Sequence, residues 1–283
     1  MQKILVTGAN GQLGNELRDI AANYPQFQFV FAGRDELQIA DEKSVQEFFA
    51  NNHIAFCLNC AAYTAVDKAE SEKELSWQVN GIAPGVLAKA CKQYGAHFMH
   101  ISTDYVFDGS ATAPYKTDAS TKPVNYYGET KLKGERSAFA HNTDSIVIRT
   151  SWVYSRHGKN FVKTMLRLMA EKESLGVVAD QIGSPTSAAD LARAMMQIVT
   201  SGKWVPGIYH YSNEGIISWH DFASTINELS GSRCKVNPIK TTDYPTPAAR
   251  PAYSAFDTSK IKEVYGISIP HWKESLQNVM RLL

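Results

Sequence analysis

The stretch TGANGQLG, residues 7–14, decides the fold of this 283-residue chain. It follows a short apolar run, Ile4–Val6, and leads into Gln12–Asn23, where apolar residues recur near helical spacing. Glycines allow a tight turn and let a pyrophosphate approach the backbone, and the N-terminus of the following helix offers free N–H groups to a phosphate. A G-x-x-G-x-x-G loop between a first strand and a first helix therefore predicts a dinucleotide-binding site.

Beyond this loop, strand-like and helix-like segments alternate through the first half of the chain. The predicted strands are Phe27–Ala32, Ile54–Ala62, His97–Ser102 and Ser145–Thr150, and the predicted helices are Ser44–Asn51, Glu74–Tyr94 and Tyr126–Ala140. Nearly apolar strands separated by helices indicate a parallel sheet covered on both faces. We therefore predict an α/β protein with a Rossmann-type doubly wound parallel sheet, whose ligands bind beyond the carboxyl ends of the strands.

The pattern changes after residue 150, which suggests two unequal parts. Residues 1–150 are predicted to form the NAD(P)-binding Rossmann domain, with a helix near 187–200 returning to it. Residues 151–283 are predicted to form a smaller C-terminal substrate-binding lobe built from separated segments. The reason is that aromatic and proline-rich stretches, such as Thr241–Ala252, interrupt shorter helices there.

Charge and hydropathy argue against several classes of partner. A formal net charge of +1, with 44% hydrophobic and 20% charged residues, is ordinary for a globular enzyme. It gives no sign of a nucleic acid or an anionic membrane surface as partner. The apolar run at the N-terminus is too short for a signal peptide or a membrane span. We therefore expect a cytoplasmic protein.

Cys57 and Cys60 have the C-x-x-C spacing of zinc and redox sites. They fall within the predicted strand Ile54–Ala62, where residues three apart point to opposite faces of the sheet. No second C-x-x-C pair or H-x-x-x-H motif completes a tetrahedral site. Packing is the favoured role of these cysteines, and no metal site is predicted.

The end of the second predicted strand bears on the choice of dinucleotide. About 20 residues past such a glycine loop, an acidic residue normally binds the adenosine 2′-hydroxyl, whereas an arginine accommodates a 2′-phosphate. Arg34 stands at this position. It favours NADPH, or tolerance of both NADPH and NADH. The alternative is a solvated arginine at the end of a strand.

A candidate catalytic group lies in the third predicted helix, where Tyr127 and Lys131 are four residues apart and share one face. A tyrosine has an unperturbed pKa of about 10, and a nearby lysine cation lowers it. Tyr127 is therefore suited to give a proton to a carbonyl oxygen as a hydride reaches the carbon. Thr103, at the end of a strand, is predicted to polarise the same carbonyl, with Ser102 as the alternative hydroxyl. Tyr126 is a competing phenol that lacks the spacing.

Seven stretches of the sequence carry a family resemblance. They are NCAAYTAVDKAE (59–70), STDYVFDG (102–109), VNYYGETK (124–131), RTSWVY (149–154), NFVKTML (160–166), QIGSPT (181–186) and YPTPAARP (244–251). The chain resembles the extended short-chain dehydrogenase/reductases and, among them, the dTDP-4-dehydrorhamnose reductase family, over nearly its whole length. The resemblance implies NAD(P)H-dependent reduction of the C4 keto group of dTDP-4-dehydro-β-L-rhamnose to dTDP-L-rhamnose.

The resemblance also implies roles for individual residues. The cofactor-binding residues that it implies are Gly11, Gln12, Leu13, Asp41, Ala62, Tyr63, Thr64, Tyr127 and Lys131, to which the glycine loop and the end of the second strand add Gly8, Gly14 and Arg34. Among them, Gly11, Gln12 and Leu13 would contact the pyrophosphate, Asp41 would lie near the adenine, and the segment 62–64 would line the nicotinamide side. Tyr127 would be the proton donor, with Lys131 as its partner. The dTDP-deoxysugar would contact Thr103, Asp104, Tyr105, Trp152 and Arg250, the last through its diphosphate. The alternatives are a surface ion pair for Arg250 and a core aromatic for Trp152.

Two positions depart from the pattern of the family. Some relatives end the second strand with an aspartate, where this chain has Gly33 and Arg34, so the resemblance does not decide between the two cofactors. Some relatives dimerise through magnesium held by glutamates. Glu16 matches one such position, but Ala189 occupies another. No metal is therefore predicted, and a homodimer remains an open alternative.

Two alternatives use the same scaffold. A non-catalytic regulatory subunit, like the beta subunit of methionine adenosyltransferase, would keep the fold as a partner-binding module. It would have no need to keep Thr103, Tyr127 and Lys131 together. A nucleotide-sugar epimerase would retain bound NAD through its cycle. A dehydratase would place an acidic pair after the threonine, where this chain has Asp104 and Tyr105.

Overall fold

The computed structural model describes residues 1–283. Its strands are β1 (Gln2–Thr7), β2 (Phe27–Ala32), β3 (Ile54–Asn59), β4 (His97–Thr103), β5 (Ile146–Thr150), β6 (Val153–Tyr154), β7 (Ser174–Val178), β8 (Ile182–Gly183), β9 (Thr186–Ser187), β10 (Gly207–His210), β11 (Ile217–Ser218) and β12 (Lys235–Ile239). Its α-helices are α1 (Gln12–Ile20), α2 (Glu42–Asn52), α3 (Val66–Ala69), α4 (Lys73–Ser76), α5 (Ala83–Tyr94), α6 (Tyr126–His141), α7 (Phe161–Glu171), α8 (Ala188–Thr200), α9 (Trp219–Ser230), α10 (Ser259–Tyr265) and α11 (Trp272–Met280).

The centre of the molecule is a six-stranded sheet in the order β10-β5-β4-β3-β1-β2. All of its strands pair in parallel. The chain moves outward from β1 to β2, and then from β3 toward the opposite edge, so the order reverses between β1 and β3. Such a switch point opens a crevice at the carboxyl ends of the strands. The prediction of a doubly wound parallel α/β fold is confirmed.

Alternate side chains of β1 supply the cores on the two faces of this sheet. Ile4 and Val6 belong to a core that includes α1, α8 and α10. Leu5 belongs to the opposite core, formed with α2, α5 and part of α6. Neighbouring residues of a strand point to opposite faces, so a wholly apolar strand is covered by helices on both sides.

The predicted helix Glu74–Tyr94 is helical over its whole length in the structure, but its winding changes within it. A wider turn, Trp77–Ile82, joins α4 to α5. Pro84, in the first turn of α5, has no N–H to donate to the carbonyl four residues earlier, and this disturbs the regular helical ladder. Within the wider turn, the buried side chain of Asn80 accepts a hydrogen bond from the Tyr63 N–H (2.9 Å) and donates one to the Tyr63 carbonyl (3.0 Å). The irregular turn thus anchors the loop that follows β3.

Residues beyond 151 build a second region and also return to the first. A separate core forms around Tyr154, Phe222 and Trp272, bordered by the parallel pair β7 and β12. However, β10 completes the central sheet beside β5, and α8 packs against α1. The division at residue 150 stays a prediction. No helix is both long and apolar enough to cross a membrane.

Candidate functional site

The glycine loop connects β1 to α1 in a way that exposes the start of the helix. Gly8 has φ +65°, and a Cβ there would lie 2.6 Å from the backbone nitrogen of Ala61. Gly11 precedes α1 without a side-chain cap, and the first helical bond runs from the Asn15 N–H to the Gly11 carbonyl. The amides of the first turn therefore have no partner within the helix. This is the arrangement that binds a phosphate.

The three glycines of the loop have different structural roles. A Cβ on Gly14 would lie 2.5 Å from the Gly8 carbonyl, so Gly14 allows the helix to pack closely against the loop. A Cβ on Gly11 would meet only the Gly8 carbonyl, at 3.2 Å. Gly11 also lines two neighbouring cavities. The space that its missing side chain leaves is thus available to a ligand, and the residues present fit a dinucleotide.

The first cavity, of about 490 Å³, lies beside the carboxyl end of β2. Its lining includes Gly8, Gly11, Gly33, Arg34, Leu37, Gln38, Ile39, Ala40, Ala62 and Val79. The Glu36 carboxylate accepts a hydrogen bond from the Gly33 N–H (2.8 Å), which fixes the turn that presents Arg34 to this cavity. The chain therefore offers a cation at the place where the sequence predicts recognition of a 2′-phosphate.

The second cavity, of about 500 Å³, contains the predicted catalytic residues. Its lining includes Gly11, Gln12, Leu13, Ala62, Thr64, Thr103, Asp104, Tyr105, Tyr127, Lys131, Trp152 and Asn160. Gly11, Cys60 and Ala62 line both cavities. The glycine loop thus joins one cavity, which suits the adenosine half of a dinucleotide, to another that holds a phenol, an amine and a hydroxyl.

The first turn of α6 is held close to the end of β4. The Asn125 side chain caps the helix by accepting from the Gly128 N–H (2.8 Å). A Cβ on Gly128 would lie 2.2 Å from the Tyr105 carbonyl, so only glycine permits this close approach. The rings of Tyr105 and Tyr127 meet edge to face, with their centroids 5.4 Å apart. This packing brings Tyr127 to the strand-end residues Thr103 and Asp104.

Burial alters the ionisation of the acidic groups in the second cavity. Burial raises the pKa of Tyr127 above its ordinary value, and a hydrogen bond with Thr103 opposes this rise. The Thr103 hydroxyl donates to Asp104 Oδ1 (3.0 Å), while Asp104 Oδ2 is buried without a partner. Burial raises the pKa of Asp104 to about 6. Without a ligand, the phenol therefore keeps its proton at neutral pH.

The sequence led us to expect that the charge of Lys131 lowers the pKa of Tyr127, and the structure places the lysine in a different role. Its Nζ donates to the Ile101 carbonyl (2.6 Å) at the end of β4, and it is not a cause of the shift at Tyr127. Burial lowers the pKa of Lys131 to about 8, against the charge of Glu135. The lysine lies on the same cavity as the phenol, but the backbone of the sheet holds its amine.

Trp152 lines the second cavity in an unusual backbone conformation. Its φ of +48° is rare for a residue with a side chain, and such strain is common at functional sites. Its ring stacks on Trp219 with the centroids 3.6 Å apart. A Cβ on Gly183 would lie 2.9 Å from the same ring. The aromatic surface beside the cavity is therefore fixed from two sides.

Four of the residues predicted to bind ligands do not line either cavity: Gly14, Asp41, Tyr63 and Arg250. Asp41 caps α2 by accepting from the Ser44 N–H (2.8 Å). The Tyr63 phenol donates to Glu72 (2.6 Å). Arg250 pairs with Asp67 (2.9 Å). The side chains of these three residues are therefore engaged by other groups of the protein, and for Arg250 the partner is 183 positions away in the sequence.

The structure also reveals functional candidates that the sequence analysis missed. Asn160 lines the second cavity and donates to Gln12 Oε1 (3.0 Å), which ties the loop before α7 to the glycine loop. His100 lies next to Lys131. His100 lies in the apolar strand β4, and the sequence signal that could have pointed to it is a polar ring at a position expected to be buried. Asn160 stands within the family stretch 160–166, which pointed to it without giving it a role.

The fold and the two joined cavities define a dinucleotide-binding protein of the Rossmann class with a second cavity at the carboxyl edge of the sheet. Comparison with known proteins narrows this class. The family model described as "RmlD substrate binding domain" matches residues 1–283, and the chain belongs to this family.

Individual relatives match this chain over nearly their whole lengths. The spore coat polysaccharide biosynthesis protein SpsK of Bacillus subtilis is 42% identical, over 99% of this chain and 98% of its own. The dTDP-4-dehydrorhamnose reductase of Burkholderia thailandensis is also 42% identical, over 96% and 95%. A crystal structure of the Bacillus anthracis dTDP-4-dehydrorhamnose reductase in complex with NADP superimposes with a TM-score of 0.95, at 36% identity and 100% coverage of both chains.

Proposed function

We propose that this chain uses NADPH to reduce the C4 keto group of dTDP-4-dehydro-β-L-rhamnose, giving dTDP-L-rhamnose. The observation that carries the proposal is that Thr103, Tyr127 and Lys131 line one cavity. The glycine loop connects this cavity to the first one, which suits the adenosine half of a dinucleotide. The relative from Burkholderia thailandensis is named dTDP-4-dehydrorhamnose reductase, which is this activity. The structure from Bacillus anthracis supports NADP as the cofactor.

In this proposal, the chain's own residues bind the ligands and supply a proton. Bound NADPH supplies the hydride. The amides at the start of α1 bind its pyrophosphate, and Arg34 binds the 2′-phosphate through charge-assisted hydrogen bonds. Tyr127 keeps its proton because of its burial and gives that proton to the C4 oxygen. The Thr103 hydroxyl, which donates to Asp104 Oδ1 in the structure, turns to donate its one proton in a hydrogen bond to the same C4 oxygen.

Lys131 and the strand-end groups prepare the site. Lys131 lies on the same cavity as the phenol, and its free N–H bonds would hold the ribose of the bound cofactor. Asp104 and Trp152 hold the deoxysugar, the first by hydrogen bonding and the second by packing against the ring. The rigid stack of Trp152 on Trp219 fits this role, because an immobile surface loses little entropy on binding.

The test is incubation of the purified protein with dTDP-4-dehydro-β-L-rhamnose and either NADPH or NADH. Cofactor oxidation is followed at the same time as the product sugar is identified by NMR. The expected result is stoichiometric formation of dTDP-L-rhamnose. Cofactor binding without oxidation would point instead to a regulatory subunit. Conversion without net oxidation would point to an epimerase.

A further inference from the structure

A line of buried polar side chains runs from β1 to Lys131. The Thr7 hydroxyl donates to Asn59 Oδ1 (2.6 Å), and Asn59 Nδ2 lies 3.0 Å from His100 Nδ1. The other ring nitrogen, His100 Nε2, lies 3.4 Å from Lys131 Nζ. Thr7, Asn59 and His100 are fully buried, and Lys131 is 1% exposed. Polar groups removed from water to this degree need defined partners.

The partners of Asn59 fix the tautomer of His100. Asn59 Oδ1 accepts from the Ala61 N–H (3.3 Å) as well as from Thr7, so Nδ2 is the group that faces the histidine. An amide N–H donates, so His100 Nδ1 accepts and carries no proton. Burial and the nearby Lys131 charge keep the pKa of His100 well below its ordinary value. The ring is therefore neutral, and its single proton sits on Nε2, facing Lys131.

Lys131 consequently has few acceptors on the side of the sheet. Its Nζ donates to the Ile101 carbonyl, but the His100 Nε2–H that faces the amine is itself a donor and cannot accept from it. Among charged and titratable groups, Glu135 on α6 and Cys60 after β3 act on Lys131 as well. The Glu135 carboxylate accepts hydrogen bonds from Arg149 (2.9 and 2.7 Å), and Ser102 donates to it as well. Lys131 has no carboxylate of its own.

We propose that His100 is a positioning residue for Lys131. Held by Asn59 as the neutral Nε2–H tautomer, its ring denies the amine a second acceptor within the sheet, beside the Ile101 carbonyl. The remaining N–H bonds of Lys131 are left to acceptors on the cavity side. Because Lys131 lines the second cavity, this arrangement keeps the amine available to a ligand. The ring also disfavours the ammonium form, since its donor cannot bond a cation.

This role is distinct from proton relay. The line of side chains ends at Thr7 and Asn59, both fully buried, and an amide does not pass a proton onward at neutral pH. His100 therefore sets the environment of Lys131 without connecting it to solvent. The kinetic consequence rests on the proposed reductase function, whereas the tautomer of His100 does not.

The first test measures the tautomer directly. Cofactor-free protein labelled with ¹⁵N-histidine is examined by long-range ¹H–¹⁵N correlation, and the loss of one signal set in His100→Gln assigns His100 among the eight histidines. The expected result is a neutral ring with the proton on Nε2 from about pH 6 to about pH 9. A proton on Nδ1, or an imidazolium, in this range would overturn the proposal.

The second test changes the tautomer through Asn59→Asp. One oxygen of the new carboxylate keeps the Thr7 and Ala61 donors, and the other replaces the amide opposite His100 Nδ1. A neutral ring with its proton on Nδ1 lets Nε2 accept from the ammonium and moves the titration of Lys131 upward by about one pH unit. An imidazolium moves the titration downward. Lysine ¹³Cε shifts in cofactor-free protein give this titration, and Lys131→Met assigns the signal.

The same shift should then appear in the reaction. In Asn59→Asp the alkaline limb of the pH profile of kcat/KM should move to higher pH if the His100 ring is neutral with its proton on Nδ1. It should move to lower pH if the ring is an imidazolium. Asn142→Asp, also a change at a buried asparagine but at the far end of α6, should move neither the ring nor the lysine. A changed His100 with an unmoved Lys131 titration would overturn the proposal. If the wild-type protein does not reduce the keto sugar, the proposed function fails while the two NMR tests still decide the role of His100.

Discussion

The guanidinium of Arg250 lies 2.9 Å from the carboxylate of Asp67 and joins the late segment 244–251 to helix α3. Asp67 also accepts from the Ala248 N–H (3.2 Å), and Asn125, the cap of α6, donates to the Ala249 carbonyl (2.7 Å). The late segment is therefore tied both to the loop region after β3 and to the helix that carries Tyr127. Residues almost two hundred positions apart thus form one wall beside the site.

This pairing predicts coupling between Asp67 and Arg250 in binding of the nucleotide sugar. Arg250→Ala and Asp67→Ala should each raise the KM for the keto sugar, and cofactor affinity should stay unchanged. The double variant should be little worse than the worse single variant, because both changes release the same segment. Steady-state kinetics on the four proteins give the coupling. Independent, additive effects would show that the pair does not act as a unit.

Tyr127→Phe should reduce kcat by about 10²- to 10⁴-fold, the usual contribution of a positioned proton donor. NADPH should still bind, because the glycine loop and Arg34 are unchanged. Titration of cofactor fluorescence and single-turnover kinetics measure the two quantities. The matched control is Tyr126→Phe, which removes a phenol that makes no hydrogen bond in the structure and lines neither cavity. Equal losses in both variants would contradict the assignment.

Gly11→Ala should mainly weaken cofactor binding, whereas Gly14→Ala should mainly lower the stability of the fold. At Gly11 the new methyl group meets one oxygen at 3.2 Å, so the protein should fold with a Tm near that of the wild type but bind cofactor much more weakly. At Gly14 the methyl group would lie 2.5 Å from one backbone atom and 2.7 Å from others. We expect a lower Tm there, because backbone must move. Calorimetry and cofactor titration separate the two, and an unchanged Kd in Gly11→Ala would contradict our placement of the pyrophosphate.

Arg34→Ala should lower the preference for NADPH over NADH. Loss of charge-assisted hydrogen bonds, which contribute about 1.5–3 kcal/mol, should raise the KM for NADPH by about 10- to 100-fold. The KM for NADH, which lacks the 2′-phosphate, should change little. Arg233→Ala, an exposed arginine of the second region, serves as the control. If both cofactors weaken equally, Arg34 does not recognise the phosphate.

Asp104→Asn should stabilise the protein at neutral pH and impair its function. The pKa of Asp104 is raised by burial from 3.8 to about 6, so the folded state binds the proton more tightly than the unfolded state. The free energy of unfolding of the wild type should therefore fall as pH rises from about 4 to about 6. The asparagine variant should avoid this loss, by up to about 3 kcal/mol above pH 6.

Denaturant unfolding at pH 4 and pH 8 tests this sign, with the KM for the keto sugar measured in parallel. Asp108→Asn is the contrasting variant. Hydrogen bonds with Ser110 hold the pKa of Asp108 below its ordinary value, so its removal should not stabilise the protein at the higher pH. A stabilisation of Asp104→Asn that is equal at both pH values would show that burial of the charge is not the cause.

Local patterns were enough to predict the scaffold. Apolar strands, the spacing of helical faces and the glycine loop led to the parallel sheet and to the dinucleotide site. The helix predicted over Glu74–Tyr94 forms with almost the same bounds, and what the sequence did not indicate is its wider winding over Trp77–Ile82, ahead of the proline at 84. Thr103, Tyr127 and Lys131 were identified from a strand end and a helical spacing, both of which are local properties of the chain.

By itself the sequence determined the strands and helices of the first 150 residues, and which side chains follow those strands at their carboxyl ends, because periodicity and turn chemistry act over a few residues. Beyond residue 150 only the helix near 187–200 was predicted. Only the tertiary structure decided which partner each side chain takes. In the structure Arg250 pairs with Asp67, Tyr63 hydrogen-bonds to Glu72, and His100 lies between Asn59 and Lys131. Those contacts, like the depth of burial that shifts the pKa values of Asp104 and Lys131, depend on segments distant in the chain that meet only when the sheet and its helices have packed.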